Sequence, residues 1–394
     1  MTASKPHGPV PPDGDVAPAE AAEAGLSSLL RRGVKAAIAR WAVRHRSAAE
    51  IWPRPQDEAP HPWDGRKHFT EDYTLAAVQP GLALVARIEW LPGREAHRVW
   101  LTILTPTAVY ALPGTGQALL RGGGDHWRAG GLALDCVLPL RTWTLRYRGR
   151  LAVREPDGRG REPIGEDGPA EDLEVRVDLT FSSQLPAFVP GSDDDPDLVS
   201  QQIGAADWDT RLIKQLRRDR LRSYVQTGDV HGALVLGSQL STFGGAGLRG
   251  HSWGVRDWGA SDAAMQAFVS MQGAGAAPVR AWVHSAQFPW IHLAGGFVQR
   301  AAGLVPIRGL GVSPTRRPGR APSHVGLHID APGGALDLEA ENLAEHSLDM
   351  DGRGRLEFSL CRVRTLASTE QVGAGWALLI NQRRLIPRPG GALP

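Results

Sequence analysis

Hydrophobic residues along most of this chain fall at every second position, the period of a β-strand with one face buried. In GLALVARIEW, Leu82, Leu84, Ala86, Ile88 and Trp90 share one face while Arg87 and Glu89 take the other. RTWTLRYRGRLAV sets Trp143, Leu145 and Tyr147 against Arg146, Arg148 and Arg150. LEVRVDLTF sets Leu173, Val175, Val177, Leu179 and Phe181 against Glu174, Arg176 and Asp178. The same alternation resumes near residue 223 in VHGALVLG, VRAWVHSAQF, HVGLHIDA, RLEFSLCRVR and GWALLINQ. Because no ten-to-fifteen-residue helical pattern separates these segments, they argue against βαβ units and for antiparallel sandwich or barrel topology.

One stretch departs from this period. Between Ala21 and Arg46, Leu26, Leu29, Leu30, Val34, Ile38, Trp41 and Ala42 recur at three- and four-residue steps, with Arg31, Arg32, Lys35 and Arg40 between them. That spacing predicts one amphipathic helix. Its apolar stripe is rich in Ala, so packing on the body of the protein is expected over contact with a membrane surface. Punctuation residues divide the rest. Residues 1–20 read as a disordered tail, 21–65 as the helix and a Pro-rich linker, and 66–200 as a first β-domain closed by VPGSDDDPDLVS. A connector at 201–222, DWDTRLIKQLRRDRLRSY in its later part, is expected to be helical, and 223–394 forms a second β-domain.

Composition supports this picture. The 394 residues are 42% hydrophobic and 22% charged, with 47 Gly and 30 Pro, as suits a globular chain of many short strands and turns. Only Lys5, Lys35, Lys67 and Lys214 are lysines, so 40 of 44 basic residues are arginine, which points to a bacterial coding bias. With a net charge of +2 there is no nucleic-acid patch to infer. The first twenty residues lack the apolar core of a signal peptide, and no run approaches the roughly 18 apolar residues of a membrane span, so a cytoplasmic protein is expected. Cys136 and Cys361 have no metal-type spacing and are expected to be reduced, buried and unjoined.

The densest segment is GGAGLRGHSWGVRDWG, Gly244 to Gly259. Gly245, Gly247 and Gly250 spell a dinucleotide fingerprint, but the residues after it lack the helix that fingerprint needs. Gly250, Ser252 and Gly254 spell the nucleophile elbow of serine hydrolases; in a chain with 47 glycines that triplet has little specificity. The scattered histidines, His231, His251, His284, His292, His324 and His328, show no metal-ligand spacing, and no metal or cofactor is expected.

GHSWGVRDWG also resembles the signature H/R-S-W-G-x-R-D-W of a bacterial family of unknown function, itself similar to hydroxyneurosporene synthases (carotenoid hydratases), AttH-like proteins and lipocalin-like Diels-Alderases. FTEDYTLAAVQPGLALVARIEWLPGREAHRVWLTILTP resembles that family's opening, PLRTWTLRYRGRL its Pro-Leu-Arg-x-Trp-x-Leu strand, and YVQTGDVHGALVLG the strand before the signature. Two departures stand out. Gly250 occupies a position that is often Asp in relatives, and the late Gly-x-Gly-x-x-Glu element reads Gly373, Ala374, Gly375, Trp376, Ala377, Leu378, without the acid.

The resemblance implies two consecutive lipocalin-like antiparallel β-barrels and a hydrophobic, isoprenoid or polyketide, ligand. A barrel of about eight strands has room inside for side chains or one apolar ligand, and Trp253, Trp258, Trp282, Trp290 and Trp376 suit its wall. Hydration or cyclisation of an alkene needs a carboxylic acid kept neutral by burial and aromatic faces to stabilise a carbocation. Asp257 is the expected acid; His251, Trp253, Arg256, Trp258, Trp282 and Trp376 are the expected substrate-binding residues. The alternatives are a non-catalytic lipid-binding protein, a serine hydrolase using GHSWG, and a purely structural Arg256–Asp257 ion pair.

Overall fold

Strand pairing, more than any single core, organises this protein. The computed structural model describes residues 33–35, 37, 40, 52–121, 127–156, 172–206, 221–272, 278–315, 322–366 and 374–384. A first sheet holds β1 (Phe69–Gln79), β2 (Leu82–Leu91), β3 (Ala96–Leu104), β4 (Val109–Ala111), β5 (Gln117–Arg121), β6 (Arg128–Ala129), β7 (Leu132–Leu138), β8 (Thr142–Arg154), β9 (Asp172–Ser182), β10 (Arg222–Leu236) and β11 (Gln239–Val255). A second holds β12 (Ala263–Gln272), β13 (Val279–Gln287), β14 (His292–Arg300), β15 (Gly303–Pro306), β16 (Gly309–Pro314), β17 (His324–Asp330), β18 (Leu336–Asp349), β19 (Gly354–Thr365) and β20 (Ala374–Arg384). Every pairing is antiparallel.

In the first sheet the order β4-β3-β2-β1-β11-β10-β9-β8 returns on itself through β4–β8 pairs such as Tyr110↔Val153, closing an eight-stranded barrel. Its interior is filled by Leu75, Leu84, Trp143, Leu145, Phe181 and Phe243, so it is a packed core rather than a ligand cavity. The second sheet, β15-β14-β13-β12-β20-β19-β18-β17-β16, stays open and curls over a core that includes Val283, Val298, Leu338 and Val363. The fold is thus mostly β and lipocalin-like in both units, one closed and one half-closed.

The two sheets divide between Val255 and Ala263 rather than near residue 223, because β10 and β11 complete the barrel by pairing with β9 and β1. Each sheet pairs its first strand with its last, β1 with β11 and β12 with β20. Alternation alone cannot show such long-range partners.

Burial follows alternation where one face meets solvent. In β9, Val175, Val177, Leu179 and Phe181 are buried while Glu174, Arg176 and Asp178 are exposed. The strands β1 to β3 differ: Arg87 and Glu89, expected on a solvated face, are buried. The second sheet covers that face. Ala76, Val85 and Trp100 there pack against Phe268, Trp282, Phe358, Leu360 and Leu378 in one shared core.

Between β9 and β10, a helix spans Pro196–Ala205, capped by the Asp195 carboxylate, which accepts from the amides of Asp197 and Leu198 (2.9 and 3.0 Å). It starts inside what the sequence reads as a loop break, 189–200, and runs into the connector, since Asp at the N-cap followed by Pro starts a helix as readily as it ends a strand. The later connector, 207–220, and the tail 1–20 lie outside the described residues. Of the amphipathic helix, Gly33, Val34, Lys35, Ala37 and Arg40 are described and helical. Lys35 Nζ donates to the Ala206 carbonyl (3.1 Å) and Arg40 pairs with Asp197 (2.8 Å), so at these residues it meets the body of the protein. Cys136 and Cys361 are both free; Cys361 is buried and Cys136 is exposed, against the expectation for the latter. No helix among the described residues is long and apolar enough to cross a membrane.

Candidate functional site

The signature segment is the end of β11, held between β1 and β10, and its alternation sends chemistry to two different places. Tyr73, Tyr224 and His251 are cross-strand partners on the barrel side; Asp72, Ser223 and Ser252 are partners on the side facing the second sheet. Glu71 and Asp72 are adjacent yet serve these opposite faces.

On the barrel side, Glu58 of the short 3-10 turn Pro55–Glu58 plugs the barrel end. Its carboxylate accepts from Arg249 Nη1 and Nη2 (3.1 and 2.7 Å) and from the Tyr224 hydroxyl (2.6 Å). Tyr224 Oη lies 3.2 Å from His251 Nδ1, and His251 Nε2 lies 3.0 Å from Glu71 Oε1. His61, stacked on Trp253 with ring centroids 3.8 Å apart, puts Nδ1 2.7 Å from the same oxygen. Burial would raise the Glu71 carboxyl, but the hydrogen bonds from His251 and His61 outweigh it and hold it below its usual value. Burial lowers His251 against the opposing pull of Glu71. Glu71 is therefore a carboxylate and His251 a neutral imidazole near pH 7. The donor atoms of His61, Glu71 and His251 all lie within 4.8 Å of one another, a donor set able to hold a metal ion. Sequence spacing missed this trio because its members come from three separate segments.

On the opposite side lies a cavity of about 460 Å³ between the sheets. Trp100, Trp282, Phe358 and Ile380 supply apolar wall; Asp72, Arg87, Ser252 and Arg256 form a polar pole. Asp72 pairs with Arg87 (3.0 Å) and Arg256 (3.2 Å) and accepts a short hydrogen bond from Ser252. Burial pushes its carboxyl upward, yet Arg256, Arg87 and Ser252 together hold it below its usual value. Glu89 pairs with Arg87 (3.4 Å) and Arg98 (3.0 Å). The indole of Trp258 sits under both guanidinium groups, 5.0 Å from Arg87 and 4.9 Å from Arg256.

The expected residues separate accordingly. Arg256, Asp257, Trp258 and Trp282 line the cavity, and His251 borders it with its ring committed to Tyr224 and Glu71. Trp253 is turned toward His61 and Tyr224, and Trp376 packs at the shared core, so neither forms the cavity wall. Arg256 pairs with Asp72 and not with Asp257, which excludes the buried Arg256–Asp257 pair. Asp257 is half exposed (53%); it accepts from the Gly259 amide (2.9 Å) and faces Arg353 at 3.9 Å. The burial expected of a proton donor is therefore lacking. Ser252 lies within β11 rather than on a strand-to-helix turn, and its hydroxyl meets Asp72, so the elbow geometry of a serine hydrolase is absent. Glu58, Glu71, Asp72, Arg87 and Arg249 were overlooked. For Glu71, Asp72 and Arg87 the signal was charge embedded in otherwise apolar strands, as in FTEDYTLAAV; Glu58, in a polar turn, gave none.

A family model described as a domain of unknown function, DUF7064, matches residues 54–382. The chain belongs to this DUF7064 family. The matched span begins just before the turn that carries Glu58 and ends within β20, so the DUF7064 unit comprises both sheets and the cavity between them. The fold is similar to that of a Nitrosomonas europaea protein provisionally assigned as an AttH, at 12% identity and TM-score 0.48, covering 84% of this chain and 97% of that one. It is also similar to kievitone hydratase from Nectria haematococca (10%, TM-score 0.47, 79% and 88%) and to CghA with Sch210972 (12%, TM-score 0.47, 80% and 89%). No curated protein matches the chain.

Proposed function

We propose that this protein binds an apolar small molecule in the cavity between its sheets and acts on it without a cofactor, as a hydratase or cyclase of isoprenoid-like or polyketide substrates. One observation supports this above the rest: a 460 Å³ space with Trp100, Trp282, Phe358 and Ile380 in its wall and a polar cluster in which Asp72, Arg87 and Ser252 are buried and Arg256 is partly buried. The volume suits a small organic ligand, the walls favour an apolar body, and the pole orients it. Of the lining indoles, Trp100 and Trp258 already carry guanidinium groups over their rings, so Trp282 is the ring proposed to stabilise developing positive charge. The same reading places the protein in the cytoplasm.

A non-catalytic carrier is the second reading, and one observation favours it. The cavity's carboxyls are either ion-paired, as Asp72 is, or exposed, as Asp257 is, so neither has the buried, unpaired setting that a proton-donating acid needs. Incubation with an isoprenoid alkene in deuterated water separates the two. Turnover with deuterium in the product supports the enzyme; saturable binding with no product over repeated preparations leaves the carrier.

A further inference from the structure

A buried carboxylate needs a positive partner, and the buried glutamates of this protein differ in how they find one. Glu58 is paired with Arg249, and Glu89 with Arg87 and Arg98. Glu71 is equally buried but meets no arginine or lysine among the described residues. Apart from the His61 amide, which donates to both its oxygens at 3.0 Å, its carboxylate faces the imidazoles of His61 and His251.

Counting protons sharpens the deficit. The Tyr224 hydroxyl has one proton, which it gives to Glu58 at 2.6 Å. Toward His251 Nδ1, 3.2 Å away, the same oxygen then accepts, so Nδ1 carries the hydrogen of the ring. A neutral His251 therefore aims the lone pair of Nε2 at Glu71 Oε1, 3.0 Å away. Two electron-rich atoms so placed repel unless a cation lies between them. His61 Nδ1 converges on the same oxygen at 2.7 Å, its ring oriented by stacking on Trp253.

We propose that His61 Nδ1, Glu71 and His251 Nε2 bind a divalent transition-metal ion, zinc by the preference of two imidazoles and a carboxylate, at the end of the barrel. The ion supplies the positive charge that Glu71 lacks and turns the opposed lone pairs into coordinate bonds. The hydrogen bond from His251 Nδ1 to Tyr224, itself bonded to Glu58, is the kind of outer contact that fixes a ligating imidazole in one tautomer. Zinc bonds of about 2.0–2.1 Å space their ligand atoms about 3.3 Å apart. The 2.7 Å contact opens to that spacing by movement of His61, which lies in the loop between the Pro55–Glu58 turn and β1. Three protein donors leave the fourth position to water, next to His61, whose side chain is 20% exposed. The ion thus ties that loop to β1 and β11 on the barrel side of the signature, independently of what the cavity between the sheets binds.

Isothermal titration of the metal-stripped, untagged full chain with zinc chloride tests this. One zinc per chain is expected, together with a rise in melting temperature, and cobalt(II) chloride in its place should give the visible absorption of a four-coordinate site. His61→Ala, in a loop, is expected to keep the far-ultraviolet circular dichroism of the parent and to abolish the zinc isotherm and the melting shift. Tyr224→Phe keeps the ring and loses the outer contact, so it should weaken zinc roughly 10–100-fold. His328→Ala, at an exposed imidazole beside Asp337, should change neither readout. A parent chain that binds no zinc overturns the proposal, as does zinc binding that His61→Ala leaves intact. Nitrogen NMR showing both ring nitrogens of His251 protonated with zinc present overturns it too, since an imidazolium then balances Glu71.

Discussion

Glu58 and Arg249 show what a buried charge does at the scale of one residue. Both are buried, and Arg249 reaches Glu58 with two nitrogens. Removing one partner strands the other, so Glu58→Gln is expected to cost about 3–5 kcal/mol by urea unfolding. Asp257, half exposed and 3.9 Å from Arg353, belongs to the opposite case. Asp257→Asn should change stability by no more than about 0.5 kcal/mol. If Asp257 donates a proton in turnover, that variant should lose ~10² to 10⁴-fold in rate per folded molecule; unchanged turnover removes it from the mechanism. Glu71, Asp72 and His251 together set an acid limit. Each sits below its ordinary value, so each binds fewer protons folded than unfolded, and stability rises with pH while they titrate. Their contribution is complete above 6.5, the ordinary imidazole value, and is lost as pH falls, through His251 first and then the carboxyls below 4.5. The urea midpoint should therefore drop steadily from pH 7 to pH 4, and a flat profile would contradict the assignment.

At the scale of the element, strands were legible wherever one face meets solvent, as β9 shows, because exposure and burial then repeat with the side-chain period. Register was not. Gly232 illustrates what pairing demands: its φ is +153°, and an added Cβ would lie 2.0 Å from the Asp178 carbonyl oxygen across the β9–β10 pair. Gly232→Ala is expected to destabilise the barrel by at least ~1–3 kcal/mol, the usual range for overpacking. Gly250 contrasts with it, since a Cβ there meets only ordinary contacts at 3.6 Å with Tyr224 O and Val225 Cγ1. Gly250 is among the residues that line the cavity, so a small added side chain there has room. The helix Pro196–Ala205 went unread because its length is short and its cap resembles a turn. Asp195→Ala should cost that helix about 1 kcal/mol, visible as faster amide exchange in it while the strands stay protected.

Across the whole molecule, the shared core between the sheets makes them one cooperative unit. Trp282 of β13 is 3% exposed and packs with Phe188 and Phe297 as well as lining the cavity. Trp282→Ala is expected to cost about 3–5 kcal/mol. Its effect should reach amide protection in β8 and β9, strands of the other sheet, since loss of the interface unfolds both. Protection lost in the second sheet alone would show two independent domains instead.

By itself the sequence determined the fold class, the places where most strands begin and end, and the dense motif from His251 to Trp258, because period, turn residues and motifs are local properties. Only the tertiary structure decided that β10 and β11 seal the first barrel, that Arg87 and Glu89 lie under the second sheet, and that the barrel is filled while the cavity lies between sheets. The same holds for chemistry: residues 58, 61, 71, 224, 249 and 251 meet through strand pairs and a turn far apart in the chain. Alternation states that two faces differ; it does not state what covers each, and burial, charge pairing and the site all follow from that cover.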